Sequence, residues 1–244
     1  MASTTSVAVI TCTIGRPHLQ RAIESIEAQK HTNVKHYIVA DGLMHHDDYL
    51  ALRAKHAGPN RIFAYWPTKI GGINWEARRL WSALAPLINE DTACFLNDDD
   101  WYREDHLEGL VYLIDQGFDW AYALRGIYDK DGTFLFNDEC ESLGELHTVW
   151  DRPHENFIEQ NSVLLRTHCY RAIAPFFCQY GFGNDRITYH QLKRLYPRFA
   201  GIANHSMCFR LDGNPMSVTK TYFETGNADM LQRYNGTLPW KRQA

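Results

Sequence analysis

Residues Asn97-Asp98-Asp99-Asp100 place three carboxylates side by side, directly after the apolar run Thr92–Leu96. Adjacent carboxylates at the end of a buried strand repel one another strongly where the dielectric is low. A divalent cation relieves that repulsion, and Mg2+ or Mn2+ prefers the oxygen ligands that Asp offers. Such an ion keeps several waters and accepts substrate phosphates, so one or two Asp plus a phosphorylated substrate can complete its shell. The competing reading is an acidic turn capping the next helix, whose first turn is crowded by Glu104 and Asp105. Across the whole stretch FLNDDDWYREDHL, the cation reading is the stronger. Asp185 heads a second polar start, Gly183-Asn184-Asp185, where an Asp also serves as a helix cap. The segment Asp212-Gly213-Asn214-Pro215 is rich in turn formers.

These groups can cooperate only if the fold gathers them. Ser6–Cys12, Val34–Ala40, Arg61–Trp66 and Thr92–Leu96 read as short buried strands. Between them lie helical stripes: Leu19, Ala22, Ile23 and Ile26; a segment over Asp47–His56; and Ala77, Leu80, Trp81, Leu84 and Ile88. Pro17 suits a first helical position. Leu107, Leu110, Val111 and Ile114 mark a further helix. Strands alternating with helices predict right-handed crossovers and a mainly parallel sheet covered on both faces. Ligands of such sheets bind outside the carboxyl ends of the strands. The Gly15-Arg16 turn, Asp41, the Gly71-Gly72 turn and Asp98–Asp100 all follow strands, so they should meet at one edge.

The second half reads differently. Trp120–Arg125 and Gly126–Phe136 suggest a hairpin about Asp131-Gly132. Asp138–Asn156 is polar and irregular, a candidate loop or lid. Phe157–Arg166 reads as a strand, Gly183–Tyr196 as a helix, Phe199–Leu211 as a strand, and the tail after Thr221 as a final helix. Trp240 beside Lys241-Arg242 reads as part of a disordered tail.

Composition narrows the function. With 244 residues, 45% hydrophobic and 22% charged, the chain is ordinary globular protein rather than disordered. A net charge of −4 argues against a protein that coats nucleic acid, which leaves a nucleic-acid partner possible but not favoured. No apolar run is long enough to span a membrane, and no secretory leader is visible, so a cytoplasmic protein is expected. None of the six cysteines forms a CxxC pair, and there is no HExxH, GxGxxG or GK[ST] motif. Those absences disfavour zinc ribbons, zinc proteases, NAD-type dehydrogenases and P-loop NTPases.

Taken together, VAVITCTIGRP, HYIVADG, FLNDDDWYREDHLEGL, GIYDKDGTF and CFRLDGNPMS resemble the corresponding pieces of family 2 glycosyltransferases of the GT-A fold. The match covers most of residues 6–218 and is strongest over the first 116. The resemblance implies an α/β fold with a mainly parallel central sheet, flanking helices and a smaller acceptor-side region. Residues 6–116 would form the nucleotide-sugar-binding half, 117–220 the acceptor-binding half and 221–244 a C-terminal tail or helix. It implies that Asp41 hydrogen-bonds the donor's base, that Thr11, Thr13 and Arg16 border the base and diphosphate, and that Asp98 lies near the ribose. Asp99 would be the metal ligand of the DxD motif, with Asp100 and Asp212 as further oxygen ligands. Asn97 stands where that motif usually has its first Asp and contributes no charge. Arg78 would face the donor, and Arg210 would neutralise phosphate. Asp185 would be the catalytic base, with Asn184 in the usual Glu position.

The implied activity is metal-dependent, inverting transfer of a sugar from a UDP-, GDP- or dTDP-linked donor to an acceptor hydroxyl, with Mn2+ or Mg2+ as cofactor. A glycan, a lipid-linked glycan or another hydroxyl compound would be the acceptor. Two alternatives stay open: a nucleotidyltransferase of the same fold, and a non-catalytic nucleotide-sugar-binding module.

Overall fold

The computed structural model describes residues 3–42, 46–70, 77–178, 183–211, 213 and 217–241. The first apolar run becomes strand β1 (Val7–Thr13), buried along its whole length. Successive side chains of a strand point to opposite faces. Ala8, Ile10 and Cys12 therefore enter one core layer, and Val7 and Val9 the other. Burial on both faces is why the run is continuously apolar instead of alternating. Helix α1 (Leu19–Glu27) turns Leu19, Ala22, Ile23 and Ile26 inward, as its stripe predicts. Pro17 lies two residues before that helix rather than in its first turn.

The pattern continues through β2 (Val34–Asp41), α2 (His46–His56), β3 (Arg61–Trp66), α3 (Ala77–Leu84) and β4 (Thr92–Phe95). β1 pairs with β2 on one side and β4 on the other, and β3 pairs with β2, all parallel. The Gly71-Gly72 turn lies outside the described residues.

A short strand β5 (Trp101–Tyr102) and α4 (His106–Asp115) lead into the second half. There β6 (Trp120–Tyr128), β7 (Phe134–Asn137), β8 (Val163–Arg166), α5 (Thr167–Ile173), α6 (Asn184–Leu195), β9 (Phe199–Arg210) and α7 (Lys220–Arg233) follow. The sheet runs β3-β2-β1-β4-β8-β6-β9-β5, with β7 hanging on β6. β8 is antiparallel to β4 and β6, while β6 and β9 are parallel, so most strands share the direction of β1. One continuous sheet therefore joins the two halves.

α3, α5 and α6 cover one face, where Phe95 meets Tyr170 and Phe177 edge-on at 5.1 and 5.3 Å. α1 and α4 cover the other. α7 closes a third cluster with Leu124, Ile127, Cys140 and Trp240.

Four sequence expectations are corrected. The first hairpin arm is one strand, Trp120–Tyr128, without a break at Arg125, because its residues stay paired to β9 throughout. Within Phe157–Arg166 only Val163–Arg166 is strand; Gln160–Ser162 forms a 3-10 turn whose geometry interrupts the ladder. The polar segment after residue 137 does not begin as a lid. Asp138, Cys140, Ser142 and Leu143 have no exposed surface, because the Asp138 carboxylate accepts backbone N–H bonds from Cys140, Glu141 and Ser142 at 2.9–3.0 Å. Trp240 is buried in the third cluster, with its indole N–H donating to Glu139 at 2.6 Å.

Candidate active site

The strand ends do converge. Thr13, the last residue of β1, donates its hydroxyl to Asp98 Oδ2 at 2.6 Å, although 85 residues separate them. The same hydroxyl accepts the backbone N–H of Gly15 at 2.8 Å, which shapes the turn that presents Arg16. The Arg16 guanidinium forks onto Asp98 and also reaches Asp99 Oδ2 at 3.4 Å. Burial works against the Arg16 charge, but the carboxylates of Asp98, Asp99 and Asp100 more than offset it and raise its pKa.

The three acidic residues have different surroundings. Asp98 is buried and engaged by Thr13 and Arg16. Asp100 is buried with both oxygens accepting bonds: the backbone N–H of Arg210 at 2.9 Å on one, and the amides of Asn161 (2.8 Å) and Asn97 (3.2 Å) on the other. Burial, then the neighbouring charges of Asp99 and Glu159, pushes its carboxyl well above the ordinary range. Asp99 is the most open, with 18% of its side chain exposed. Asn97 thus acts here as a strut for Asp100.

Asp41 ends β2, buried, and accepts the backbone N–H of Ile70 at 2.8 Å. The adjacent Gly42 has φ +58°, and a Cβ there would lie 2.7 Å from the Lys69 backbone nitrogen, so only glycine admits so close an approach. Thr11 is not at the open edge. Its hydroxyl lies 2.9 Å from His36 Nε2 within the sheet, and it has no exposed surface. Position 11 therefore lies two residues below the strand end, and its hydroxyl is engaged inside the sheet. Arg210 sends its Nε–H to the Lys130 carbonyl at 2.8 Å, which places the end of β9 against the β6–β7 turn. Asp212 lies outside the described residues.

Helix α6 begins at Asn184 with Asp185 in its first turn, beside Gln160 and Tyr189. Gly183 precedes it at φ 82°, a left-handed entry that turns the chain into the helix. Asn184 is buried, and its amide donates to the Phe176 carbonyl at 2.9 Å. Arg78 reaches this region from α3. Burial disfavours its charge, while Asp185 and Glu159 support it.

Several residues here escaped the sequence reading. Glu159 is buried and caps the 3-10 turn by accepting the Asn161 N–H at 3.2 Å. Burial is the main cause that lifts its carboxyl to about 7; Asp185 adds to this, while Arg125 and Arg78 oppose it. The next side chain, Gln160, is 6% exposed and lines a small cavity with Asp185, Thr188 and Tyr189. Neither end of its amide has a hydrogen-bond partner among the described residues. A buried unpaired amide is costly, so such a group marks a place for a polar guest. Arg125, fully inside, pairs with Asp138 at 2.8 Å and with Glu141, which also meets Arg186 of α6 at 3.3 Å. The signal in the sequence was the polar insertion Glu159-Gln160-Asn161-Ser162 within FIEQNSVLLR, where an uninterrupted buried strand would be apolar.

The acidic run and the basic turn thus meet at the carboxyl edge of a mainly parallel α/β sheet, and that sheet has the GT-A fold. The sequence model of glycosyl transferase family 2 matches residues 6–181, and the chain belongs to that family. No curated protein matches the sequence. Among solved structures, Staphylococcus aureus TarS 1–349 in complex with UDP-GlcNAc is similar at a TM-score of 0.64 and 10% identity, over 98% of this chain and 69% of that one. TarS 1–349 without that ligand gives 0.64 and 11%, over 84% and 60%. The mannosyltransferase PcManGT from Pyrobaculum calidifontis, in complex with GDP-Man and Mn2+, gives 0.58 and 10%, over 95% and 63%. The chain thus spans about 60–69% of these solved chains and 41% of the longer TarS chain, and at such identities the likeness is one of fold. Among the described residues no helix is long and apolar enough to cross a membrane.

Proposed function

We propose that this chain transfers a sugar from a nucleoside-diphosphate sugar to an acceptor hydroxyl, with inversion at the anomeric carbon. The observation that carries this reading is the convergence of Thr13, Arg16, Asp98 and Asp99 from separate strand ends at one edge. Family membership and the nucleotide-sugar complexes of the similar structures support it. Asp41 would receive the base, and Asp98 the ribose. Arg16 and Arg210 would face the diphosphate.

The donor set suits a hard divalent cation such as Mn2+ or Mg2+. Asp99, the least buried of the three carboxylates, would be the protein's oxygen ligand, and the phosphates and waters of the bound donor would complete the shell. Asp212 is a further candidate ligand. Asp100, whose oxygens already accept three protein hydrogen bonds, suits the role of support for Asp99 better than that of direct ligand. When bound, the ion neutralises charge on the departing diphosphate.

Asp185 would take the proton of the acceptor hydroxyl as that oxygen bonds to the anomeric carbon. The bond from that carbon to the diphosphate oxygen breaks, and its electron pair leaves with the diphosphate. A positioned base of this kind contributes about 10²–10⁴-fold. Arg78 would hold Asp185 charged, and the unpaired Gln160 amide beside it would receive a polar group of the acceptor.

Thermal shift against UDP, GDP, dTDP and CMP, each with and without Mn2+, tests the donor site. One diphosphate should stabilise the protein, more so with metal, because a ligand that binds only the native state raises its stability. Asp99→Ala should fold normally and lose the metal increment. Asp185→Asn should keep the donor shift and lose transfer. A metal increment undiminished in Asp99→Ala refutes the metal assignment, and full transfer by Asp185→Asn removes it as base.

A further inference from the structure

A second cluster lies at the opposite edge of the sheet. Asp119 precedes β6, while His168 and Cys169 stand in the first turn of α5. One carboxylate oxygen, one imidazole nitrogen and the thiol sulfur of these residues all lie within 4.8 Å of one another. Among the described residues, no other three His, Cys, Asp or Glu side chains approach one another so closely. The Cys169 sulfur sits 3.3 Å from His168 Nε2. Around a tetrahedral zinc, with Zn–S of about 2.3 Å and Zn–N of about 2.0 Å, sulfur and nitrogen are separated by roughly 3.5 Å. The sulfur–nitrogen separation is therefore already close to what that ion needs.

We propose that Asp119, His168 and Cys169 form a site for a zinc ion, distinct from the donor-site cation. The donor set decides the metal: thiolate and imidazole select a borderline-soft ion, whereas Mg2+ or Mn2+ prefers oxygen alone. Three protein ligands leave the fourth position to water, and the exposure of His168 keeps that position accessible.

The register places this site away from the acidic run. Thr92, at the start of β4, pairs with Arg166, and Leu165 pairs with Trp120, so the cluster flanks the beginning of β4. Asp98 lies past its end, roughly 20 Å further along an extended chain.

The surroundings favour the site in two ways. The His168 ring is fixed edge-on against Tyr196 at 5.4 Å. The nearby Arg166 guanidinium is held by the carbonyls of Phe118 and Ile114 at 3.0 and 2.8 Å, which fixes the chain just before α5.

The test uses the full chain without an affinity tag, stripped with a chelator and titrated with Co2+ as an optical probe. Stoichiometric binding with a thiolate-to-cobalt charge-transfer band, displaced by Zn2+, is expected. The band should vanish in Cys169→Ser and in His168→Ala and persist in Asp99→Ala. Its absence in the wild type, its persistence in Cys169→Ser or His168→Ala, or its loss in Asp99→Ala overturns the proposal. Because His168 is exposed, His168→Ala decides the matter even if the buried Cys169→Ser variant fails to fold. None of these readouts depends on sugar transfer.

Discussion

Replacing Arg125 with Met tests how the acceptor side is held. The Arg125 side chain is 2% exposed, that of Asp138 has no exposed surface, and that of Glu141 is 6% exposed. The guanidinium carbon also sits 4.7 Å from the Phe209 ring centroid and 5.2 Å from that of Phe223. Met approximates the volume and removes the charge. Two buried carboxylates then lose their shared cation, although Asp138 keeps its backbone N–H donors and Glu141 keeps Arg186. Breaking a buried ion pair by removing one partner costs about 3–5 kcal/mol. For a chain of this length that corresponds to a drop in Tm of roughly 6–20 °C.

The sign with pH follows from Asp138. Burial opposes its charge, but Arg125 and the backbone donors more than offset this, and its carboxyl is held below the ordinary range. That contribution to stability is present above the unfolded pKa and is lost as pH falls through the folded one. Without Arg125 both carboxyls shift upward, so the deficit of the variant should be greatest at neutral pH and narrow toward about pH 5. Urea unfolding of both proteins at the two pH values measures this. A cost below about 1 kcal/mol at neutral pH, or a deficit that widens on acidification, refutes the reasoning.

Two other perturbations follow from the same geometry. Glu159, lifted to about 7 chiefly by burial, has a folded pKa above its unfolded value, so stability should fall as pH rises from about 4.5 to 7, by at most about 1.4 kcal/mol per unit. Glu159→Gln should flatten that slope in pH-dependent unfolding, and an unchanged slope would count against the assignment. Gly42→Ala sets a Cβ 2.7 Å from the Lys69 nitrogen at positive φ; it should cost about 1 kcal/mol or more and weaken nucleotide binding through Asp41, as read by calorimetry with the diphosphate that stabilises the wild type.

The first half was legible because each signal was local. The β1 run, the α1 stripe and the acidic run after β4 each carry their meaning within a dozen residues, and the rule that ligands gather at carboxyl ends of strands joins them. The second half was harder to read because its polar groups are satisfied across long distances. Arg125 and Asp138 look like surface charges in a sequence, yet they are internal because each neutralises the other. Trp240 near the chain end reads as loose until Glu139, 101 residues away, accepts its N–H. Thr11 and Thr13 look equivalent, and only the register shows Thr13 at the open end and Thr11 paired with His36.

What the sequence by itself determined is the alternation of strands and helices in the first half, the two-sided burial of the first strands and the presence of an acidic run at a strand end, since periodicity and residue chemistry are properties of neighbours. Only the tertiary structure decided how the acidic run divides its work. Asp98 is tied to Thr13 and Arg16, Asp100 is enclosed by Asn97, Asn161 and Arg210, and Asp99, which Arg16 also reaches, keeps the most exposed side chain of the three. Three identical side chains differ because each meets partners brought from other strands, and which partners arrive is set by how the whole sheet packs.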